Sequence, residues 1–283
     1  MSRDLPPAHR CDTVIWRDDA LAGAEWLRGT FSDFSYAPHA HDTDCLAVIT
    51  RGALRIRAGG REFIARQGDM FAANAGVLHC GWPIDDAGWS LRTMYVDLGR
   101  LRGVLTGEPV IGTGTLCGPH LQDRELAARL VAAHECSEGV VSALRRDAAL
   151  VGFTDRLFAR YVRPVQPDDR ADAAPHAVRL AQEFLDAHVD TRISLQDLAG
   201  VTGLPPSRLL RAFAKAVGMS PHAWQRQVRL RHATTLIRGG TPISDAALAA
   251  GFADQAHFTR LFRRTMGIPP GAYQRAYRGG RPG

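Results

Sequence analysis

Two stretches decide how this chain is read. The first is Leu209-Leu-Arg-Ala-Phe-Ala-Lys-Ala-Val-Gly-Met-Ser-Pro-His-Ala-Trp224, and the second, 49 residues on, is Phe258-Thr-Arg-Leu-Phe-Arg-Arg-Thr-Met-Gly-Ile-Pro-Pro-Gly-Ala-Tyr273. Arg, Phe, a basic residue, Gly, Pro, Ala and an aromatic recur in register, which predicts one structural unit used twice. In the first copy Leu204, Leu209, Phe213 and Val217 supply a packing side, while Ser207, Leu210, Arg211 and Ala214 project outward. In the second, a helix over about 254–266 places Phe258, Leu261 and Phe262 inward and Ala256, His257, Arg260 and Arg264 toward the other side.

A shorter helix precedes each of these. Ile193-Ser-Leu-Gln-Asp-Leu-Ala199 has Ser194 placed to cap it, and Gly203 follows four residues after Ala199. Ile243-Ser-Asp-Ala-Ala247 is followed in the same way by Gly251 and Phe252. A glycine there is expected to take a left-handed turn and to let a second helix cross closely. Pro205-Pro206-Ser207 then opens the next helix, where a missing backbone donor costs nothing. The pattern is helix-turn-helix, twice, joined by a helix from Pro221 to Arg238.

Charge agrees with a polyanionic partner. The 283-residue chain carries a net charge of +6, but from Ala171 onward there are 15 Lys+Arg against 7 Asp+Glu, and before it 20 against 22. The half with the repeat therefore bears the electrostatic footprint of a nucleic-acid binder. The connecting helix spans roughly 27 Å, comparable to one turn of DNA at about 34 Å, so both outer helices reach successive major-groove segments. Arg211 and Arg260 occupy equivalent positions and are the expected base readers, because arginine contacts guanine with two parallel hydrogen bonds. Ser207, Arg208, Gln255 and His257 belong to the same expected DNA-binding set. Lys215, Arg263, Arg264 and the arginines of the connecting helix are expected at phosphates. The alternative is a pair of structural helix hairpins with solvated arginines, which two basic copies in register disfavour.

Residues 176–277 resemble the DNA-binding domain of the AraC/XylS family of bacterial transcription regulators. The resemblance is carried by Leu195-Gln-Asp-Leu-Ala199, Gly203-Leu204, Leu209-x-Arg211-x-Phe213 and Gly218-Met-Ser-Pro221. It is carried most by Ala250-Gly-Phe-Ala-Asp-Gln-Ala-His-Phe-Thr-Arg-Leu-Phe-Arg-Arg264, closing in Gly267-Ile-Pro-Pro-Gly-Ala-Tyr273. It implies two outer helices reading adjacent major-groove segments, the first discriminating bases more strongly. Ser207 and Leu210 stand where polar or aromatic readers often sit, which shifts weight onto Arg208 and Arg211.

Upstream, residues 12–98 read as short strands between Gly-containing turns, among them Cys45-Leu-Ala-Val-Ile-Thr50, Ala53-Leu-Arg-Ile-Arg57 and Leu91-Arg-Thr-Met-Tyr-Val96. This spacing predicts a barrel or sandwich. On a regular strand residues 39, 41, 43 and 45 share a face, so His39, His41 and Cys45 would converge. Gly68-Asp69 and then Ala75-Gly76-Val-Leu-His79 follow. Together these resemble the paired motifs of the cupin fold, with two departures: Cys45 stands at the glutamate position, and Asn74 replaces the usual proline. A cluster of His39, His41, Cys45 and His79 suits a divalent metal such as zinc. Alternatively the histidines grip an organic effector without metal. Asp44 is a ligand only if a bulge shifts the strand. Trp82 and Trp89 are either walls of an apolar pocket or core.

From Leu121 the pattern turns helical, with Leu121, Leu126, Leu130 and Val131 on one face and a further helical stretch over 140–161. Residues 163–175 are rich in Pro and Asp and read as a linker. The expected organisation is multidomain α+β: a cupin-like β-barrel sensing an effector (1–120), a helical dimerisation and coupling region (121–163), a linker (164–175) and an all-α domain with two helix-turn-helix units (176–277). The scattered odd set of five cysteines and the absence of an apolar leader or spanning segment point to a cytoplasmic chain. The expected function is sequence-specific regulation of transcription. Its expected partners are double-stranded promoter DNA, a small-molecule or metal effector, a second copy in a homodimer and, for an activator, RNA polymerase. A metalloenzyme of the cupin type, an oxygenase or isomerase with a helical appendage, is the alternative from another class. A DNA-binding factor with a ligand-free barrel is the third.

Overall fold

The computed structural model describes residues 11–18, 23–106, 114–139, 141–163 and 176–279, so the expected linker at 164–175 lies outside the described residues. The chain divides into two compact units, with the division between residues 164 and 165.

The first unit opens with nine strands: β1 (Cys11–Asp18), β2 (Ala24–Phe31), β3 (Tyr36–His39), β4 (Asp44–Arg51), β5 (Ala53–Ala58), β6 (Arg61–Arg66), β7 (Met70–Ala73), β8 (His79–Pro83) and β9 (Trp89–Val96). There follow α1 (Leu98–Thr106), β10 (Thr115–Leu116), β11 (His120–Leu121), α2 (Arg124–Glu138), α3 (Ala143–Tyr161) and β12 (Val162–Arg163). One sheet has the order β1-β2-β9-β4-β7-β11 and a second β3-β8-β5-β6, while β10 and β12 form a separate pair.

Strand periodicity explains how the layers stack. On β4 and β9, Leu46, Val48, Met94 and Val96 join a core with Leu126 and Leu130 of α2 and Leu150, Phe153 and Leu157 of α3. The alternate residues Cys45, Ile49, Leu91, Thr93 and Tyr95 point the other way and line a cavity. Both faces of β4 are thus covered, which is why its sequence is an almost unbroken apolar run. On β5, by contrast, Leu54, Ile56 and Ala58 are buried and alternate with the less buried Arg55 and Arg57.

One local expectation is corrected. Leu121 does not begin a helix; it pairs with Met70 across β11 and β7. The helix starts at Arg124 because the Asp123 carboxylate accepts from the Leu126 amide at 2.9 Å and caps it. That carboxylate also accepts from Arg156 at 3.0 Å and from the Tyr161 hydroxyl at 3.2 Å, both on α3. This buried acid thus ties the start of α2 to α3, beside the Arg156–Glu125 ion pair at 2.6 Å and the donation from Arg129 to the Gly152 carbonyl at 3.1 Å.

The second unit contains α4 (His176–Ala187), α5 (Leu195–Thr202), α6 (Pro206–Val217), α7 (Pro221–Arg238), α8 (Ile243–Ala249), α9 (Gln255–Met266) and α10 (Pro270–Gly279). Ser194 and Asp197 form a reciprocal capping box on α5. Val178, Ala181 and Leu185 of α4 close a core with Leu198, Leu209, Phe213, Trp224 and Val228. In the second copy that core is a chain of rings, Phe252 to Phe258 to Phe262 to Tyr273, with successive centroids 5.2, 5.4 and 5.4 Å apart.

The glycines of the two turns differ in role. Gly203 (φ 69°) and Gly251 (φ 75°) both take the left-handed conformation, but a Cβ on Gly203 would meet nothing within 4 Å. A Cβ on Gly251 would lie 3.0 Å from the Asp190 backbone. Close approach is therefore a requirement in the second copy only. The copies also share a feature not read from the repeat. Gln225 donates to the Thr191 carbonyl at 3.0 Å, and Gln274, 49 residues on, donates to the Thr241 carbonyl at 2.6 Å. Each glutamine anchors the loop that enters its helix-turn-helix.

Candidate nucleic-acid interface and histidine pocket

Helices α6 and α9 each bury one side and present the other. Leu209, Phe213, Phe258 and Phe262 are fully buried. Ser207, Arg208, Leu210, Arg211, Ala214 and Lys215 on α6 are exposed, as are Gln255, Ala256, His257, Arg260, Arg263 and Arg264 on α9. The 3.6-residue period sets this division. Among the described residues, none of the side chains of Arg208, Arg211, Lys215, Arg260, Arg263 and Arg264 has a hydrogen bond or ion pair to protein. Their charge faces solvent without compensation.

The helices are started differently. Pro205 and Pro206 open α6 without a side-chain cap, whereas the Asp254 carboxylate accepts from the His257 amide at 2.6 Å on α9. That capping contact fixes the first turn of the second outer helix, on which Gln255 and His257 stand.

The arginines of connecting helix α7 differ from those of α6 and α9 in having partners within the protein. They were expected at phosphates; Arg229 donates to the Val189 and Thr191 carbonyls, each at 2.9 Å. Arg231 pairs with Asp186 at 3.5 Å and stacks over Trp224. Arg238 donates to the Tyr273 hydroxyl at 2.7 Å. The reason is position: α7 buries Trp224, Val228, Leu230, Ala233 and Ile237 among its neighbours, so its polar side chains reach adjoining loops and helices.

The histidines meet, though not through a single strand. β3 ends at His39 and β4 begins only at Asp44, so His41 sits in the loop between them. His39 faces His79 directly across β3 and β8. Ring centroids are 4.3 Å apart for His39 and His79, 4.8 Å for His39 and His41, and 5.1 Å for His41 and His79. One nitrogen from each of the three lies within 4.8 Å of the others. Cys45 is buried and lines the same cavity, but its sulfur does not join that close set. Asp44 is turned to other work: its carboxylate accepts from the Ala75 amide at 3.1 Å and the Leu98 amide at 3.2 Å.

The tautomers of two imidazoles follow from their partners. His39 Nδ1 lies 2.7 Å from the Ala37 carbonyl and His79 Nδ1 lies 2.9 Å from the Val77 carbonyl. A carbonyl only accepts, so each Nδ1 carries the hydrogen and Nε2 carries the lone pair. Burial holds both rings neutral, pressing His39 to about 3, with the His79 charge adding to the effect, and His79 to about 4. Burial likewise pushes the Cys45 thiol and the Tyr95 phenol up, so both stay protonated.

The cavity measures about 40 Å³ and is otherwise walled by Tyr36, Phe71, Thr93, Tyr95 and aliphatic side chains. No arginine, lysine or carboxylate lines it among the described residues. Trp89 is a core residue stacked on Phe31 at 4.3 Å, and Trp82 lies under Arg57, so neither walls the cavity.

The loop bearing His41 is tied outward. The Gly76 amide donates to the His41 carbonyl at 2.8 Å. Asn74, the departure noted at the usual proline, accepts from the Leu116 amide at 2.8 Å. Leu116 pairs with Val162 in the β10–β12 pair, at the end of α3. Only the tertiary structure shows this run of contacts.

Two family models match the chain: the AraC-like ligand binding domain over residues 22–153 and a helix-turn-helix domain over residues 198–276. The chain belongs to the AraC family of transcriptional regulators. This AraC-family regulator is 27% identical over 228 residues to YbfI, an uncharacterized HTH-type transcriptional regulator of Bacillus subtilis (strain 168), covering 77% of this chain and 80% of that one. It is 24% identical over 239 residues to the arabinose operon regulatory protein of Escherichia coli (strain K12), covering 81% and 79%. The solved structure of ToxT from Vibrio cholerae O395 shares the fold, with a TM-score of 0.53 over 96% of this chain and 99% of that one, at 13% identity. The AraC-family chain is thus a DNA-binding transcription regulator with an N-terminal ligand-binding domain. The metalloenzyme alternative falls, because its relatives are regulators.

Proposed function

We propose that α6 and α9 enter successive major-groove segments of promoter DNA, with Arg211 and Arg260 reading bases. Ser207, Arg208, Gln255 and His257 lie on the same surfaces, and Lys215, Arg263 and Arg264 meet phosphates. The observation that carries this reading is the set of exposed cations without protein partners on the two outer helices of one repeat. A second copy of the chain is part of the proposal, with Leu144 and Val151, exposed one heptad apart on α3, supporting a homodimer contact there. Contact with RNA polymerase, in an activator, and a cytoplasmic location rest on family membership alone. Among the described residues no helix is long and apolar enough to cross a membrane.

In the first unit the proposed controlling ligand occupies the histidine cavity. The cavity is small, at about 40 Å³. ToxT has been solved bound to an unsaturated fatty acid; a cavity of this size and lining favours a far smaller occupant. The donor set fits a divalent metal such as zinc. His39 and His79 are neutral, with Nδ1 fixed by a carbonyl as in many metal-ligating histidines. The three nitrogens, within 4.8 Å of one another, need only small shifts to reach the separation of about 3.4 Å around a tetrahedral zinc. Such an ion would supply positive charge in a cavity whose own lining has none, and so would also receive a small anionic effector. The tie through Gly76, Asn74 and Leu116 gives the occupied loop a route to Val162 and Arg163, the last described residues before 164–175.

Metal analysis of the purified full chain tests the pocket. Near-stoichiometric zinc that is lost in His79→Ala, with a matching fall in melting temperature, is expected. Substoichiometric metal in the wild type would leave the cavity to an organic effector. Binding to host promoter fragments tests the interface: affinity is expected to fall linearly on a log scale with salt, through counterion release. A flat response sinks the groove assignment.

A further inference from the structure

We infer that Leu210 is a specificity-determining residue, recognising the 5-methyl group of a thymine next to the base contacted by Arg211. The inference rests on the reading that α6 enters the major groove. It starts from a contrast between neighbours: Leu209 is fully buried, while Leu210 is 40% exposed. Isolated exposed leucines are ordinary. This one has company, because Ala214 lies one turn further along the same face and is also exposed, and Ser207 lies one turn before.

The outward face of α6 therefore carries an apolar strip, Leu210 and Ala214, bordered by Arg208, Arg211 and Lys215. The second copy lacks it. In register, Leu210 corresponds to the half-buried Thr259, and Ala214 to the exposed Arg263. A strip kept in one copy only is not a demand of the shared scaffold, whose positions are those of Phe213 and Phe262. In the major groove the one apolar feature is the thymine methyl group, and leucine beside it removes both from water. Arg211, adjacent on the helix, offers the paired donors that suit guanine. The expected signature of α6 is thus a guanine with a neighbouring thymine, whereas α9 is left to polar readout.

Leu210 also lines a groove of about 250 Å³ with Leu195, Leu198 and Pro221, so a docked protein segment is the rival occupant. The bordering cations favour DNA, since Arg211, Lys215 and Arg208 line the solvent side of the strip, opposite the buried Leu209 and Phe213, and place positive charge where a phosphate backbone can lie.

The test uses the full chain and selection from a randomised duplex library, made once with thymidine and once with deoxyuridine, which lacks the methyl group. The wild type is expected to enrich thymine beside a guanine, and to lose that preference in the deoxyuridine library. Leu210→Ala should lose it in both, with affinity for the selected site reduced about fourfold, the equivalent of one buried methyl group. Leu210→Gln, which keeps the helix exposed and polar, should exchange thymine for adenine at the same step. If the enriched sequence is the same with uracil and with Leu210→Ala, Leu210 does not read DNA, and the groove becomes the place for a protein partner. Arg211→Ala separates the two levels. A changed guanine preference with an unchanged thymine preference would overturn Leu210 alone; no change from either variant overturns the groove reading as well.

Discussion

In the reading unit Arg208, Arg211 and Arg260 stand on helix surfaces with no protein partner, whereas in the sensing unit His39 and His79 are buried between two sheets and held neutral. The contrast is one of solvent. A guanidinium left in water keeps its charge at little cost until a phosphate or base arrives, so a DNA reader is built outward. An imidazole that must offer a lone pair gains from burial, which disfavours its protonated form. The same contrast recurs within the reading unit, where Arg229, Arg231 and Arg238 are engaged by carbonyls, a carboxylate and a phenol.

The sharpest way to break the comparison is acid. His39, His79 and His134 have pKa values pressed by burial to about 3, about 4 and about 3, against 6.5 for the ordinary side chain. The unfolded chain takes up protons as pH falls through that ordinary value, while the folded chain does not. Stability is therefore fully present above about pH 6.5 and declines by about 1.4 kcal/mol per pH unit for each histidine until the folded values are reached. Trp16, Trp26, Trp82 and Trp89 belong to the sensing unit and Trp224 alone to the reader, so tryptophan fluorescence reports mostly the former. In metal-free protein, its melting transition should drop by many degrees between pH 7 and pH 5. An unchanged transition would mean that these rings are not kept neutral.

A smaller effect separates the two classes of arginine. Arg211→Ala should weaken specific DNA binding by about 1–3 kcal/mol and leave melting unchanged. Arg229→Ala should destabilise the fold by about 1–3 kcal/mol, because two carbonyls lose a charged donor. Reversed outcomes would exchange their assignments. Smallest of all is the effect of the repeated glutamines. Gln225→Ala and Gln274→Ala should each cost about 1 kcal/mol of stability, measured by denaturant unfolding, and by similar amounts in the two copies. A loss in only one would show that the copies do not share this anchor.

Legibility followed the range of the interactions. Helix α7 runs from Pro221 to Arg238 as its local residues predict, and the inward and outward faces of α6 and α9 follow from spacing alone. Gln225 and Gln274 were visible as identical residues in register, but their purpose needs the loops at Thr191 and Thr241. In the first unit, strand pattern foretold the sheets. It misplaced Leu121, whose environment is set by Met70, a residue 51 positions earlier. The histidines were named from a motif, yet their meeting depends on a broken strand and on a β3–β8 pairing that no local spacing announces.

By itself the sequence determined the twice-used helical scaffold and the basic surface it carries, because helix orientation is written in a 3.6-residue period by residues a few positions apart. Only the tertiary structure decided which arginine side chains are left without a protein partner and which imidazoles share a cavity. Both depend on partners brought from far along the chain: Asp186 for Arg231, and His79 for His39. Burial, which sets the charge of each group, exists only once those partners have met.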